Sequence, residues 1–420
     1  MLAALVNAWK VPDLRKKILF TAALLVVYRI GSFIPVPGVD TVKVVEEFSR
    51  VAGETGAGLL SLLDMFSGGA LSRFTLFGLN VGPYITASIV FELLTAVIPA
   101  LAELKKEGPE GRKKISQYTR YAAVVLALIQ GWSYSAMLIG AVRPGFIWRL
   151  TTILTLTAGA SAAIWLGDKI TEKGIGNGIS LLIFTGIVSA FPNSLRHGFE
   201  MLKQGGINWL YILFWIVGGG ALITALVAVS EAQRKLPVQY PKRVVGRRVY
   251  GGQSTHMPMK LNQAGVIPVI FASSVLAFPA TLAQFIPAIT SSVNRFMYNV
   301  WVYNILYTAL IIVFAYFYTG ITFNPVDVAD NMKKYGGFIP GFRPGRPTAE
   351  YLDRVLTRLT FVGAIFLAIV ALLPNVTSAI TAQGVSFGGT GLIIVVGVAI
   401  DTLKQIEAQL IMRQYEGFLR

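Results

Sequence analysis

The sequence predicts an all-α integral membrane protein, and three observations support that fold class. Of the 420 residues, 54% are hydrophobic and 14% are charged, whereas about a quarter of a soluble domain is charged. The mean hydropathy is +0.62. Apolar runs recur along the whole chain, and a bilayer core of ~30 Å needs ~20 helical residues. We therefore predict ten transmembrane helices, near residues 18–35, 75–100, 121–141, 150–167, 179–193, 207–230, 264–287, 302–322, 356–374 and 388–404.

The basic residues divide unevenly between the predicted connections. If the N-terminus is cytoplasmic, the inner segments hold 28 of the 37 Lys and Arg residues and the outer segments hold 8. The remaining one, Arg29, lies in the first predicted helix. Because Lys and Arg accumulate on the cytoplasmic side of membrane proteins, we predict that both termini are cytoplasmic. An even number of helices is required for that result.

Ten helices divide into two sets of five, at residues 1–193 and 194–420. Two tandem sets with an odd number of helices must be inverted relative to each other in the membrane. The fifth and tenth predicted helices are both short and both open with glycines, at 174–178 and 388–389. Matched, glycine-interrupted segments of this kind predict where the functional axis lies.

Several kinds of chemistry are excluded by residue content. The chain has no cysteine and two histidines, so the sequence predicts no metal site and no cofactor. It contains neither a phosphate-binding Gly-x-x-x-x-Gly-Lys-Ser/Thr loop nor a His-Glu-x-x-His motif. An enzyme acting on lipid would need His, Asp or Glu residues that converge near one interface, and the sequence shows no such cluster. We therefore expect that the protein is not an enzyme.

A secondary transporter of small molecules is the other alternative. Such proteins hold ionisable groups at mid-membrane to bind coupling ions. Within the predicted helices these groups are scarce, and Arg29, Glu92 and Asp401 all lie away from the centre. Each can reach an interface or pair with a neighbour. Substitution of Glu92 by Gln would inactivate a proton-coupled transporter, whereas a polypeptide channel would tolerate it.

The second predicted helix is weakened by Asn80, Gly82 and Pro83, which favours contact with protein or water rather than lipid. A short apolar stretch at 57–66 precedes it and is followed by Gly68 and Gly69. This stretch is either an interfacial helix or a mobile element that folds back into the bundle. The residues alone favour the interfacial helix.

Two long connections, at 231–263 and 323–355, are basic and rich in Gly and Pro. The positive-inside bias explains part of their charge but not their length. Guanidinium groups bind phosphate in a bidentate manner, so these loops are candidates for docking a partner that carries phosphate groups. Their basic residues are Lys242, Arg243, Arg247, Arg248, Lys333, Lys334, Arg343 and Arg346.

Several motifs, in order along nearly the whole chain, resemble the SecY family of protein-conducting channels. They lie at 65–73, 83–89, 108–120, 170–180, 246–256, 336–345 and 415–417. The resemblance implies a channel that moves unfolded preproteins across the bacterial cytoplasmic membrane and releases apolar segments sideways into lipid. It also implies two inverted five-helix halves around a central pore, with a plug near 57–73.

The resemblance assigns roles to individual residues. It places Leu60, Leu63, Met65, Phe66, Ser67, Gly68 and Gly69 in the plug. It places Val81, Ile85, Ile179, Ile183, Ile270 and Ile394 in an aliphatic pore ring. Such a ring closes around an extended chain but offers ions no solvation, so it seals by dewetting. Val81 is smaller than the isoleucine common in relatives, which predicts a looser seal at that point.

The resemblance also implies a side gate and a set of partners. The residues that match the gate are Thr86, Gln130 and Asn262. Hydrogen bonds between them, of about 1 kcal/mol each, would hold the gate shut. The alternative is that these residues only hold neighbouring helices together. Lys242, Arg243, Arg247, Arg248 and Arg343 match loops that dock the motor ATPase SecA and the ribosome. Arg346 departs from the acidic residue common in relatives. SecE, probable SecG, signal sequences, unfolded preproteins and membrane lipid complete the implied partners.

Overall fold

The computed structural model describes residues 8–54, 64–137, 140–203, 209–240, 243–245, 248–250, 254–283, 299–381 and 389–418. Most of this chain is helical. The helices are α1 Pro12–Gly31, α2 Thr41–Glu54, α3 Gly82–Val97, α4 Pro99–Lys106, α5 Pro109–Met137, α6 Phe146–Lys173, α7 Gly178–Lys203, α8 Trp209–Glu231, α9 Ile267–Ala283, α10 Val300–Thr322, α11 Pro325–Lys334, α12 Arg346–Thr381 and α13 Gly389–Phe418. Each of the ten predicted transmembrane segments overlaps one of these helices.

Four helical stretches in the described part of the chain are long and apolar enough to cross a membrane. They are Phe146–Lys173, Trp301–Lys334, Arg346–Pro374 and Gly389–Met412. The pair α3 and α4 would add a fifth span, bent by 99° between the two helices. Pro99 follows Ile98 at this bend, and a proline both removes a backbone donor and keeps the preceding residue out of the helical region.

The second predicted helix begins later than its apolar run suggests. The prediction of 75–100 was wrong at its start, because α3 begins at Gly82 and residues 75–81 form turns. Asn80 has φ +49°, a left-handed conformation that stops a right-handed helix. Pro83 lies in the first turn of α3, where its missing N–H has no helical partner to lose.

The fifth and tenth predicted helices are not short. Helix α7 has 26 residues and includes Pro192, and α13 has 30 residues. The glycine that begins α7, Gly178, allows close packing against α6. A Cβ on Gly178 would overlap the carbonyl oxygen of Gly167 on α6, so only glycine allows this approach.

The chain divides into two compact units. The first comprises Met1–Trp209, Ser273–Tyr303 and Val398–Arg420. One of its apolar clusters includes Phe48, Leu71, Phe74 and Leu156, so the turns before α3 belong to the core of this unit. The division into halves at residue 193 stays a prediction.

The second unit comprises Leu210–Ala272 and Asn304–Gly397, and it corrects the all-α fold class. Strands β1 Gln233–Gln239 and β4 Ser254–Lys260 form an antiparallel pair, and β2 Arg243–Val245 pairs with β3 Arg248–Tyr250. Leu236 and Val238 of β1 join Met332 of α11 and Leu352 of α12 in one apolar cluster. The two long connections therefore share a small core of their own, which we did not predict from the sequence.

Candidate functional site

Residues 64–73 form a compact turn that Asp64 organises. Its side-chain Oδ1 accepts a hydrogen bond from the backbone N–H of Ser72 at 2.8 Å. Its carbonyl oxygen accepts from the Gly69 N–H at 3.0 Å and from Ser67 Oγ at 2.9 Å. Ser67 Oγ in turn accepts from the Leu71 N–H at 3.1 Å. Residues 64–67 are helical and residues 68–73 form turns, and these hydrogen bonds satisfy backbone groups of the segment.

This turn lies directly against helix α7. Gly68 has φ +67° and Gly69 has φ +79°, a region that favours glycine. A Cβ on Gly68 would stand 2.5 Å from Ser189 Oγ and 2.7 Å from the Gly186 carbonyl oxygen. A Cβ on Gly186 would overlap the Phe66 carbonyl oxygen. The contact is therefore between two backbones, and glycine is required on both sides.

Two arginines converge on one carbonyl of the turn. Arg29 Nη1 and Arg73 Nη2 donate to the Gly68 oxygen at 3.2 and 3.0 Å. Arg73 Nε also donates to the Gly69 oxygen at 2.7 Å. Both guanidinium groups lie over the Phe33 ring, 4.6 and 4.8 Å from its centre, within cation–π distance. The turn is thus tied to α1 as well as to α7.

Asn80 links the same turn to the start of α3. Its Nδ2 donates to the Phe66 carbonyl oxygen at 2.9 Å, and its side chain is buried. Its Oδ1 has no hydrogen-bond partner among the residues that the structure describes. In the sequence, Asn80 was only a residue that weakens a helix. Its left-handed φ and its contact with Phe66 depend on tertiary structure, and no sequence signal gave them.

Of the predicted plug residues, Leu60 and Leu63 lie outside the described residues. Met65, Phe66, Ser67, Gly68 and Gly69 all belong to the turn described above. Ser67 is 1% exposed, so this part of the segment lies within the first unit. That geometry favours the folded-back alternative over an interfacial helix for residues 64–69.

Two predicted ring positions, Val81 and Ile183, lie close in sequence to residues that contact this turn. Val81 follows Asn80 and is fully buried, and Ile183 is 3% exposed. Ile85 and Ile179 are half-buried. Ile183 stands three residues before Gly186 on α7, so both lie on one helix face. The Cδ1 atom of Ile179 lies beside Gly167 of α6.

The other two predicted ring positions lie in the second unit. Ile394 on α13 is fully buried, and Ile270 on α9 is half-buried. Whether the six positions form a ring stays a prediction.

The predicted gate residues show local hydrogen bonds. Thr86 Oγ1 donates to the Gly82 carbonyl oxygen of its own helix at 3.2 Å. Asn262 Nδ2 donates to the Gly265 carbonyl oxygen at 3.1 Å, and Gln130 is half-buried on α5. Hydrogen bonds between the three side chains stay a prediction.

The predicted docking residues are described only in part. Lys242 and Arg247 lie outside the described residues. Arg243 pairs with Tyr250 and Arg248 with Val245 in the short β2–β3 ladder.

Arg343 is exposed in a turn before α12, and its carbonyl oxygen accepts from Thr348 Oγ1 at 2.8 Å. Beside it, the rings of Phe342 and Tyr351 stack with centres 4.1 Å apart. The backbone at Arg343 is thus held while its side chain is free to bind a partner. Arg346 Nε lies 3.3 Å from Glu350 Oε1 in an exposed ion pair.

A metal site needs several ligand side chains close together. Within the residues that the structure describes, no group of three or more His, Cys, Asp or Glu side chains could hold a metal ion.

Comparison with known proteins gives consistent results. The family model SecY matches residues 75–403. The chain is 49% identical to protein translocase subunit SecY of Streptomyces galbus over 444 residues, covering 100% of both chains. It is 45% identical to protein translocase subunit SecY of Thermotoga maritima, covering 100% of this chain and 98% of that one.

Solved structures show a similar fold. A protein conducting channel superposes with a TM-score of 0.66 at 21% identity, covering 93% of this chain and 91% of that chain. Sec61 in the canine ribosome–channel complex superposes with a TM-score of 0.61 at 21% identity, with the same coverage. At this identity the likeness concerns the fold alone.

Proposed function

The chain belongs to the SecY family of protein translocase channel subunits, and from that premise we propose that it conducts unfolded preproteins across the bacterial cytoplasmic membrane. We propose ten transmembrane helices in two inverted halves around a central pore, with both termini cytoplasmic. The steep bias of Lys and Arg between the connections supports this orientation.

The observation that carries the proposal is that the turn at 64–73 contacts residues close in sequence to two of the ring positions. Gly68 lies against Gly186, three residues from Ile183 on α7. Asn80 bonds Phe66 and immediately precedes Val81. A segment held there is placed to fill a pore closed by these aliphatic side chains. We therefore assign residues 57–73 as the plug, and Val81, Ile85, Ile179, Ile183, Ile270 and Ile394 as the constriction.

The part of the plug before Leu71 can leave without unfolding the bundle, whereas Leu71 packs in an apolar core cluster of the first unit. The described contacts of that earlier part with α1 and α7 are a few polar bonds and glycine contacts, rather than large interlocked side chains. A preprotein entering the pore would break those bonds, and the aliphatic ring would then close around the extended chain. Ions would stay excluded because apolar side chains offer them no solvation.

Release of apolar segments into lipid belongs to the same proposal. Thr86, Gln130 and Asn262 are the gate residues, and a signal sequence competes for their contacts. In the present structure Thr86 and Asn262 bond to nearby backbone carbonyls. Such bonds leave these side chains available to exchange partners at modest free-energy cost.

The basic connections supply the docking surface for the motor ATPase SecA or the ribosome. Arg343 is exposed on a held turn, which suits recognition of an acidic or phosphate partner. Lys242, Arg243, Arg247 and Arg248 lie in the other connection. SecE and SecG are the proposed small membrane subunits of the complex.

Site-specific crosslinking during translocation tests this function. A photoreactive residue is placed at Ile85 or at Ile183, with Val125, an exposed residue on α5, as the matched control position. With an arrested preprotein, we expect adducts at the first two positions and not at the control. If the preprotein is demonstrably engaged but Ile85 and Ile183 give no adducts, these side chains only pack within the helix bundle. That result would favour a small-molecule transporter.

A further inference from the structure

A groove of about 280 Å³ lies between the end of α5 and the start of α6, away from the turn at 64–73. Apolar side chains from both helices line it, among them Leu128, Trp132, Leu150 and Ile153. Next to the groove the two helices pack closely, because a Cβ on Gly131 would stand 3.5 Å from the Ile153 carbonyl oxygen.

The groove faces away from the protein interior. Trp132 is 51% exposed and Phe146 is 72% exposed, although both line it. In a membrane protein such exposed rings at helix ends lie at the boundary between hydrocarbon and headgroups. With α5 and α6 crossing the bilayer as proposed, lipid acyl chains and lipid headgroups would surround this groove.

One cation stands in this apolar lining. Arg149 lines the groove in the first turn of α6, and its side chain forms no ion pair with any residue that the structure describes. Arg143 offers a contrast, because its guanidinium lies 5.2 Å from the centre of the Trp148 ring and it does not line the groove. An unpaired guanidinium beside an apolar slot fits a ligand with an apolar tail and an anionic head.

We propose that this groove binds one acyl chain of an anionic phospholipid whose phosphate contacts Arg149. Guanidinium pairs with phosphate through two parallel hydrogen bonds, and the headgroup level is where Arg149 lies. The volume is just below the ~300–1,000 Å³ of small-molecule pockets, so it holds part of one chain and not a whole lipid. An anionic headgroup is preferred because a zwitterionic one carries its own ammonium beside the phosphate. The inference rests on the proposed transmembrane course of α5 and α6, but not on the proposed channel activity.

The test uses the full-length protein with its copurifying subunits, reconstituted in phosphatidylcholine vesicles. The probe is a phosphatidylglycerol with a diazirine at the end of one acyl chain, and adducts are mapped by peptide mass spectrometry. We expect adducts on peptides covering 128–136 and 146–153, reduced by unlabelled phosphatidylglycerol and not by added phosphatidylcholine. Arg149→Gln should weaken labelling about tenfold, as loss of a charge-assisted contact implies.

Two further variants keep the result interpretable. Arg143→Gln is the matched control and should label like the unmodified protein. Ala136→Trp fills the groove from α5 and should abolish the adducts there. Equal labelling in Arg149→Gln, or equal competition by phosphatidylcholine, would overturn the phosphate contact. Probe attached to a copurifying subunit, with none on either peptide, would show that a partner's helix covers the groove and would overturn the lipid site.

Discussion

Removal of the Arg73 side chain should loosen the turn at 64–73. The Arg73→Gln variant loses its Nη2 bond to the Gly68 oxygen, its Nε bond to the Gly69 oxygen and its place over Phe33. Hydrogen bonds to charged groups contribute about 1.5–3 kcal/mol each. The bonds share one guanidinium and Arg29 remains on the Gly68 oxygen, so they do not add. We expect a net loss of about 2 kcal/mol, or a roughly 30-fold rise in the undocked population.

The assay uses the absence of native cysteine. A Ser67→Cys background places one thiol at a position that is 1% exposed, so its reaction with a maleimide reports undocking of the turn. When opening and closing are faster than labelling, the rate follows the open population. The Arg143→Gln variant is the matched control, because it also removes an arginine stacked on an aromatic ring. Equal labelling rates in the Arg73→Gln and Arg143→Gln variants would refute the reasoning.

Four other results are expected. Gly186→Ala should raise the rate of thiol labelling in the same assay, because overpacking costs about 1–3 kcal/mol. Gly220→Ala is the control, since a Cβ there meets no atom within 4 Å, and it should leave the rate unchanged. Equal rates in the two variants would mean that the turn does not pack against α7. Deletion of residues 60–70 should raise ion leak across a planar bilayer without abolishing export, and an unchanged leak would assign the seal to another element. Arg343→Glu should block motor-driven export while thermal unfolding stays unchanged, and normal export would exclude this docking role. Glu92→Gln should leave export within about twofold of normal, since a channel needs no proton relay, and complete loss would revive the transporter alternative.

Each predicted apolar run overlaps a helix because apolar runs of this length are rare elsewhere in the chain. The start of α3 did not follow from the sequence, since residues 75–79 continue the apolar pattern and only the conformation of Asn80 ends it. Helix α12 also begins well before its apolar run, at Arg346. Helix bounds depend on capping and packing, which periodicity does not report.

The strands were missed for a different reason. Strand β1 contains Pro237 and β4 contains Pro258, and proline within a run argues against a strand. The residues paired between β1 and β4 lie 15 to 27 positions apart, from Gln239 opposite Ser254 to Gln233 opposite Lys260, so the ladder depends on non-local contacts. The Arg29 contact on Gly68 is likewise tertiary, because these two residues lie 39 positions apart, whereas Arg73 reaches Gly68 from five residues away in the same turn.

The shared core of the two long connections has a mechanical consequence. Gln239 and Phe338 exchange backbone hydrogen bonds of 2.9 Å in both directions, so the strand ribbon and the turn leading to Arg343 are joined. From Arg346 the chain continues as one helix of 36 residues, which at 1.5 Å per residue is about 54 Å long. A force applied at Arg343 would therefore displace the ribbon as well. It would also be transmitted along α12 as far as Pro374, which interrupts the helical hydrogen bonds, so that a push at the proposed docking surface would reach the apolar part of this helix.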